Sequence, residues 1–242
     1  MKMKKNIIII PSRLQATRFP NKPLVDINGL PMIVMVAKQA EKANIGEVIV
    51  ACGDVEIFDV VKQHGINAIM TDNDLPSGSD RIYQALTKLE EKFDNIINVQ
   101  GDVPTINPET IKIVANALNQ DDKVSVSTAC AKITDKSEIN NPNVVKCYAD
   151  FSNGKIAQAT DFNREAIGSE PFYHHIGIYG YKSHGLEQFI NLKPSKNEIK
   201  RKLEQMRLID NGLIINACLV DEIPIGIDVE QDLEKLLDNF KK

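Results

Sequence analysis

Four cysteines are spread over 242 residues, at positions 52, 130, 147 and 218, and no two stand at metal-ligand or redox spacing. Each lies in or beside an apolar, strand-like run, so they read as buried free thiols, in keeping with a reducing cytoplasm. The four histidines (64, 174, 175, 184) include one adjacent pair but no i, i+4 pair of the helical zinc-site kind. Long apolar runs are missing as well. Nothing approaches the ~18 residues of a membrane span, and the Lys-rich start meets a short apolar run and a proline where a secretory signal needs an apolar core of ~7–15 residues. There is no excess of positive charge: 29 basic against 33 acidic side chains leave a net charge of −4. Neither nucleic acid nor membrane is attracted in general, and anion binding must come from a local cluster of cations. Neither G-x-G-x-x-G nor G-x-x-x-x-G-K-[ST] occurs. If the chain binds a nucleotide, side-chain cations and loop amides must do it.

What is present is a soluble globular composition, 43% hydrophobic and 26% charged. The wholly apolar, β-branched run Ile7–Ile10 predicts a strand buried on both faces and stopped by Pro11. Asn28-Gly29 predicts a tight turn, and Pro31 opens a helix over 32–43. A strand at 47–52 follows, then a helix over 55–64 capped by Asp54 and ended by Gly65. A short strand at 68–70, a helix near 81–91 capped by Ser79 or Asp80, a strand at 95–100 and a helix from Asn107-Pro108 to about 119 complete a β-α repeat. Such alternation predicts an α/β fold with a doubly wound, mostly parallel sheet over roughly 4–130. The second half changes character. Strands at 124–132, 144–148, 172–181 and 213–219, a hairpin turn at 151–154 and helices at 187–192, 198–209 and about 229–240 suggest an antiparallel extension, with Asp228 capping the last helix. No linker separates the halves, so one domain is expected.

Six stretches are candidates for chemistry. A basic loop leaves the first strand, with Arg13, Arg18 and Lys22, the hydroxyls of Ser12 and Thr17, and two prolines. It reads as a triphosphate cradle or as a solvated loop. Gln100-Gly-Asp102 ends a buried strand. Asp102 suits Mg²⁺, which takes one or two carboxylates plus phosphate oxygens, or it merely shapes the turn; the Gln100 amide suits a base edge. Asp228 is a helix cap or a second metal carboxylate, and if it meets Asp102 their repulsion calls for a cation between them. Ser77-Gly-Ser-Asp-Arg81 wraps a ligand or caps a helix. In Tyr173-His-His-Ile-Gly-Ile-Tyr179 a two-residue period puts His175 and Tyr179 on one face, as core residues or as ligands. Leu203-Glu-Gln-Met-Arg207, taken alone, is an ordinary helix face.

In this order, Ile10-Pro-Ser-Arg13, Arg18-Phe-Pro-Asn-Lys-Pro-Leu24, Val99-Gln-Gly-Asp102, His175-Ile-Gly-Ile-Tyr-Gly-Tyr181, Leu203-Glu-Gln-Met-Arg207 and Gly226-Ile-Asp-Val-Glu-Gln-Asp-Leu233 resemble the 3-deoxy-manno-octulosonate (Kdo) cytidylyltransferases, over about residues 6–237. The resemblance implies a nucleotide-diphospho-sugar transferase-like fold. Within one domain over 1–242 it implies a nucleotide-binding half (about 4–130), a sugar-acid and dimerisation lobe (about 131–225) and a C-terminal helix (226–242). It implies CMP transfer from CTP to the anomeric hydroxyl of a 3-deoxy-octulosonic acid, for lipopolysaccharide synthesis, by a cytoplasmic homodimer that uses Mg²⁺. Its alternatives are a non-catalytic homologue and an enzyme for another, sialate-like ulosonic acid. By motif position, Arg13 and Lys22 resemble the triphosphate cations, Ser77 and Gln100 the other CTP contacts, and Asp102 and Asp228 the metal ligands. Arg18, Arg81, His175, Tyr179, Glu204 and Gln205 resemble the acceptor side. The chain departs from the pattern at Ala159-Thr-Asp-Phe-Asn-Arg164-Glu, where a Ser-Arg-small-x-Ile-Pro type segment is expected. There Arg164 stands in for the basic residue, or the acceptor pocket differs.

Overall fold

Four successive isoleucines cannot leave one face wet, and Ile7–Ile10 are all fully buried at the centre of β1 (Asn6–Ser12). The computed structural model describes residues 4–15 and 18–240; Thr17 of the basic loop lies outside them. The chain forms two compact units, one running to Lys112 and resuming at Pro224, the other Ile113–Ile223.

In the first unit β1 is followed by β2 (Asp26–Ile27), β3 (Leu30–Pro31), α1 (Met32–Lys42), β4 (Gly46–Cys52), α2 (Val55–Gln63), β5 (Asn67–Met70), α3 (Gly78–Thr87), β6 (Asn95–Asn98) and α4 (Pro108–Ala117), inside which the division between the units falls. Its main strands lie in the order β5-β4-β1-β6, every neighbouring pair parallel. This is the sheet that the β-α alternation predicts.

The punctuation is chemical. Asn28 and Gly29 both have positive φ (52° and 85°), the primed turn that suits the twist of a hairpin and here joins β2 to β3. Gly65 (φ 76°) closes α2: its amide meets the carbonyl of Lys62, and the Ile66 amide meets that of Val61. Those two bonds are a Schellman cap. The Asn107 side chain accepts from the Glu109 amide at the head of α4.

Three local expectations are corrected. Pro11 does not stop β1, which runs on to Ser12. The β6 pairing ends at Ile9, so at Pro11 the strand pairs with β4 alone and a missing N–H is tolerated. The cap of α3 is Ser77, whose Oγ accepts from the Asp80 amide, not Ser79 or Asp80. The carboxylate of Asp54 makes no cap bond to α2.

In the second unit come β7 (Val126–Lys132), β8 (Lys146–Ala149), β9 (Ile156–Asn163), β10 (Tyr173–Lys182), α5 (Ser183–Asn191), α6 (Lys196–Arg201), α7 (Met206–Asp210) and β11 (Ile215–Val220). The order β10-β7-β11-β9-β8 returns to β10, because Tyr173 and His174 also pair with Cys147 and Lys146 of β8. The mostly antiparallel lobe therefore closes into a ring of strands; β7 and β11 run parallel, the other neighbours antiparallel. Closure hides the edges of the sheet. Cys130, Cys147 and Cys218 are free and buried there, and burial pushes the Cys218 thiol up to about 12. The single helix expected at 198–209 is broken: Lys202 is left-handed (φ 55°), and Glu204 and Gln205 fall in the turn between α6 and α7.

From Pro224 the chain belongs to the first unit again and ends in α8 (Glu230–Phe240). Leu233 and Leu236 pack with Ile27, Met32 and Ile227. No helix among the described residues is long and apolar enough to cross a membrane.

Gly46 marks where the first sheet is tightest. A Cβ there would lie 2.2 Å from the Asn6 carbonyl oxygen of the neighbouring strand, a backbone atom that cannot swing aside. Gly46→Ala should lower the denaturant midpoint by the equivalent of about 1–3 kcal/mol or more; an unchanged midpoint would show that the β1–β4 register relaxes freely.

Candidate active site

The strand order turns at β1, with β4 and β5 on one side and β6 on the other. In open α/β sheets a ligand crevice opens beyond the carboxyl ends of the strands at such a switch point. Here those ends carry Ser12-Arg13 and Gln100-Gly101-Asp102, and a cavity of about 330 Å³ lies among them. Arg13, Arg18, Lys22, Ser77, Arg81 and Asp228 also line it.

Asp102 and Asp228 meet because the C-terminal segment is laced onto the loop after β6. The Ile227 amide donates to the Asp102 carbonyl at 2.9 Å, and the Ile225 amide to Thr105 Oγ1 at 2.7 Å. Both carboxylates face one cation: Lys22 Nζ is 2.8 Å from Asp102 Oδ2 and 3.4 Å from Asp228 Oδ1. Arg18 reaches Asp228 Oδ1 at 3.3 Å, a pair in which both side chains are more than half exposed and the attraction is weak. Asp228 does not act as the helix cap expected of it. The amides of Asp228 and Val229 are taken by Asp232 Oδ2, four and three residues on, which leaves the Asp228 carboxylate to the cavity.

The fit of this pair to a divalent cation follows from the donor set. The two carboxylates share the Lys22 ammonium, with Arg18 also on Asp228, and among the described residues no cluster of three or more His, Cys, Asp or Glu forms a complete cage. That is the partial set used by Mg²⁺, which completes its octahedron with water and phosphate oxygens. Arg13 stands exposed at the cavity mouth. Among the described residues Ser12 Oγ, buried at the cavity, finds no hydrogen-bond partner, at a cost of roughly 1–3 kcal/mol.

Two further side chains shape the walls. Arg81 is buried, and its guanidinium donates to Thr71 Oγ1 (2.5 Å), the Asp72 carbonyl (2.8 Å) and the Asn73 carbonyl (3.2 Å). Burial, then the charge of Arg13, lowers its pKa. Gly53 is forced beside it, since a Cβ there would sit 2.7 Å from Nη1. Asp54 accepts the Leu14 amide on Oδ2 at 2.7 Å and the Asn73 side chain on Oδ1 at 3.3 Å. It ties the basic loop to the opposite wall. Sequence reading assigned it to a helix cap; only the fold brings Leu14 to it. Ser77 spends its proton on Asp80 Oδ2 (2.6 Å), and the Gln100 amide donates to Asn98 Oδ1 (3.3 Å).

The remaining candidates belong to the second unit. His175 and Tyr179 do share a face, their ring centroids 5.5 Å apart. The register against β7 slips between Ile176 and Tyr179, so β10 bulges at Gly177. Thr128 repairs the gap: its hydroxyl donates to the Ile178 carbonyl at 2.7 Å, so Oγ1 accepts from His175 Nε2 at 3.0 Å. Nε2 therefore carries the proton and Nδ1 is an acceptor. Burial, and to a lesser degree the neighbouring His174, lowers the His175 pKa to about 3. Burial likewise raises that of Tyr179. Gln205 is buried in the α6–α7 turn beside Glu204. That turn is held by Glu198, which caps α6 with Ser195 and takes both Nε and Nη2 of Arg207, at 2.8 and 2.5 Å.

The chain is similar to known proteins along nearly its whole length. A family model described as "Cytidylyltransferase" matches residues 7–218. The 3-deoxy-manno-octulosonate cytidylyltransferase of Paramagnetospirillum magneticum (strain ATCC 700264 / AMB-1) is 46% identical over 234 residues, 95% of each chain. The chain belongs to the 3-deoxy-manno-octulosonate cytidylyltransferase family. The protein of the same name from Parvibaculum lavamentivorans (strain DS-1 / DSM 13023 / NCIMB 13966) is 45% identical over 95% of this chain and 90% of that one. A solved structure of CMP:2-keto-3-deoxy-manno-octonic acid synthetase complexed with CTP superposes with a TM-score of 0.90 at 34% identity, covering 98% of both chains.

The segment Ala159–Glu165 is held by cations on backbone carbonyls. Arg164 donates to the carbonyls of Pro142 (3.0 Å), Arg201 (3.3 Å) and Lys202 (3.4 Å). Lys146, fully buried, donates to those of Asn141, Val144 and Arg164 at 2.8, 2.9 and 2.9 Å. Arg201 takes Asp161 and the Phe162 carbonyl. Arg164 is thus committed to the α6–α7 turn.

The His175 shift has a sign that can be measured. Between pH 6.5 and about 3 the unfolded chain binds a proton that the folded chain refuses, so stability is full above 6.5 and falls as pH falls. The slope contributed reaches about 1.4 kcal/mol per pH unit. In urea unfolding from pH 7 to 4.5, His175→Gln should flatten the loss of stability; an unchanged slope would mean that other groups carry it.

Proposed function

We propose that this protein transfers CMP from CTP to the anomeric hydroxyl of a 3-deoxy-octulosonic acid, Kdo or a close variant such as an amino-substituted one. The bond from acceptor oxygen to α-phosphorus forms as the bond to pyrophosphate breaks, and the hydroxyl proton passes to solvent. The observation that carries this reading is the convergence of Asp102 and Asp228 on one cation at the switch-point cavity, under a loop bearing Arg13, Arg18 and Lys22. Transfer at phosphorus is mostly positioning and charge neutralisation, and these residue types supply both.

Arg13 and Lys22 hold the triphosphate, Arg13 with its planar fork and Lys22 as a movable point charge. Gln100 reads the cytosine edge, and Ser77 fixes the loop on which the nucleotide rests. Asp102 and Asp228 hold Mg²⁺, whose chemistry when bound is to neutralise charge growing on the leaving pyrophosphate. Arg18, Arg81, His175, Tyr179, Glu204 and Gln205 are assigned to the acceptor side by their motifs. For Arg81 the closer support is structural, since its guanidinium is spent on the 71–73 loop. Asp54 positions Arg13 through the Leu14 amide. The product is an activated sugar acid for lipopolysaccharide synthesis, made in the cytoplasm by a homodimer. For the dimer face the second unit offers Ile167 and Ile199, 55% and 67% exposed, beside the aromatic strand β10, in which Tyr179 stacks on Tyr181 and Tyr181 on Phe189.

The deciding assay is pyrophosphate release with CTP, Mg²⁺ and a panel of 3-deoxy-2-ulosonic acids that includes amino-substituted and sialate-like members. Turnover with an octulosonic acid supports the reading, and CTP binding without turnover on any acid rejects it. Asp102→Asn and Asp228→Asn should each lower kcat by ~10²–10³ or more at an unchanged unfolding midpoint; normal activity in either would reject the two-carboxylate site. Asp54→Ala should raise KM for CTP several-fold with a smaller change in kcat, and Asp54→Asn, which keeps an acceptor for Leu14, should restore it. Equal KM in all three forms would remove Asp54 from the loop's support.

A further inference from the structure

Lys22 sits where two roles collide. As a triphosphate cation its ammonium belongs on phosphate oxygens; in the structure it lies on Asp102 and Asp228, at 2.8 and 3.4 Å, with only 13% of its side chain exposed. Resting on the reading that these carboxylates hold the divalent ion, we infer that Lys22 is a tethered stand-in for that ion. It neutralises the pair until metal and nucleotide arrive together, and then turns to the phosphates.

Mg²⁺ ligates carboxylate oxygen at about 2.0–2.1 Å and demands near-octahedral geometry. An ammonium at hydrogen-bond distance from the same oxygens stands in its approach and repels it. Lys22 cannot withdraw by moving its backbone. Asn21 before it is left-handed (φ 56°), Pro23 after it is buried, and the amides of Lys22, Leu24 and Val25 donate hydrogen bonds to the carbonyls of Phe19, Asn21 and Lys22, closing the turn. What is free to move is the four-carbon side chain. It can swing to a phosphate that arrives in the cavity; among the described residues its ion pairs are with Asp102 and Asp228 alone. Arg18 does not substitute, because its contact with Asp228 is solvent-exposed and does not reach Asp102.

Free metal must therefore evict Lys22 without compensation, whereas metal with triphosphate offers the ammonium a new partner. The two ligands should bind with positive coupling, and the coupling is reciprocal. CTP tightens the metal by the factor by which the metal tightens CTP.

The test reads metal binding, not turnover. Free Mn²⁺ is followed by its electron paramagnetic resonance signal as it is titrated with nucleotide-free protein, and again with CTP present. In the Lys22→Met form, Mn²⁺ should bind the nucleotide-free protein at least tenfold more tightly than in the unaltered protein. The further tightening caused by CTP should shrink, and Lys22→Arg should show no such gain. Lys22→Gln serves in place of Met if that form is misfolded by circular dichroism. Mn²⁺ affinity unchanged or weakened on removing the charge overturns the stand-in role while leaving the metal site intact. If adding Asp102→Asn to Lys22→Met leaves Mn²⁺ binding untouched, the carboxylate pair is not the metal site, and the underlying reading fails instead.

Discussion

One backbone hydrogen bond organises the first unit: the Ile227 amide on the Asp102 carbonyl, at 2.9 Å. It fastens a segment near the chain's end to the loop at the carboxyl end of β6, and α8 is held behind it by Leu233 and Leu236 against Ile27 and Met32. Without that return, Asp102 would be a turn carboxylate and Asp228 a residue before a surface helix. With it, two negative charges face one cavity, and Lys22 must lie between them. The basic loop, the two carboxylates and the switch point at β1 form one electrostatic unit because the C-terminal segment comes back.

The walls of the cavity are built the same way, by charged groups spent on backbone. Arg81 holds three consecutive residues, Thr71 to Asn73, and Asp54 holds the Leu14 amide. A charge that is hydrogen-bonded in this manner gives direction to a loop without regular structure. The second unit repeats the device with Lys146 and Arg164 on carbonyls around the α6–α7 turn. It also uses Thr128 to absorb a bulge and set the His175 tautomer. A buried cation such as Lys146 or Arg81 is costly to leave unsatisfied, so it fixes its segment in one arrangement.

Much of the architecture was legible along the chain, and the legible parts share a cause. The β-α alternation, the primed turn at Asn28-Gly29, the Gly65 cap and the Asn107 cap all depend on residues within a few positions of one another. Local torsional and capping preferences suffice to write them. The expectations that failed are those in which a distant group won. Asp228 yields its capping place to Asp232 and faces Lys22 instead. Asp54 leaves α2 for Leu14. The helix expected over 198–209 breaks where Arg164 takes the carbonyls of Arg201 and Lys202. The pairing of β8 with β10, which closes the ring, involves only two residues of each strand and leaves no periodic mark.

The order of short motifs, from Ser12-Arg13 to Gly226-Ile-Asp228, was by itself enough to point to a family of known chemistry, because catalysis by placed charges needs particular residue types. The sequence by itself also determined the parallel sheet, through Ile7–Ile10 and its alternating helices, since burying a strand on both faces demands an unbroken apolar run. What only the tertiary structure decided is which charge meets which: that Lys22 occupies the carboxylate pair, that Arg81 and Arg164 are committed to backbone, and that His175 stays neutral against Thr128. The reason is physical. Hydrophobic period and capping act over a few residues along the chain, whereas an ionic or hydrogen-bonded contact depends on distances of about 3 Å that exist only once the chain has closed on itself.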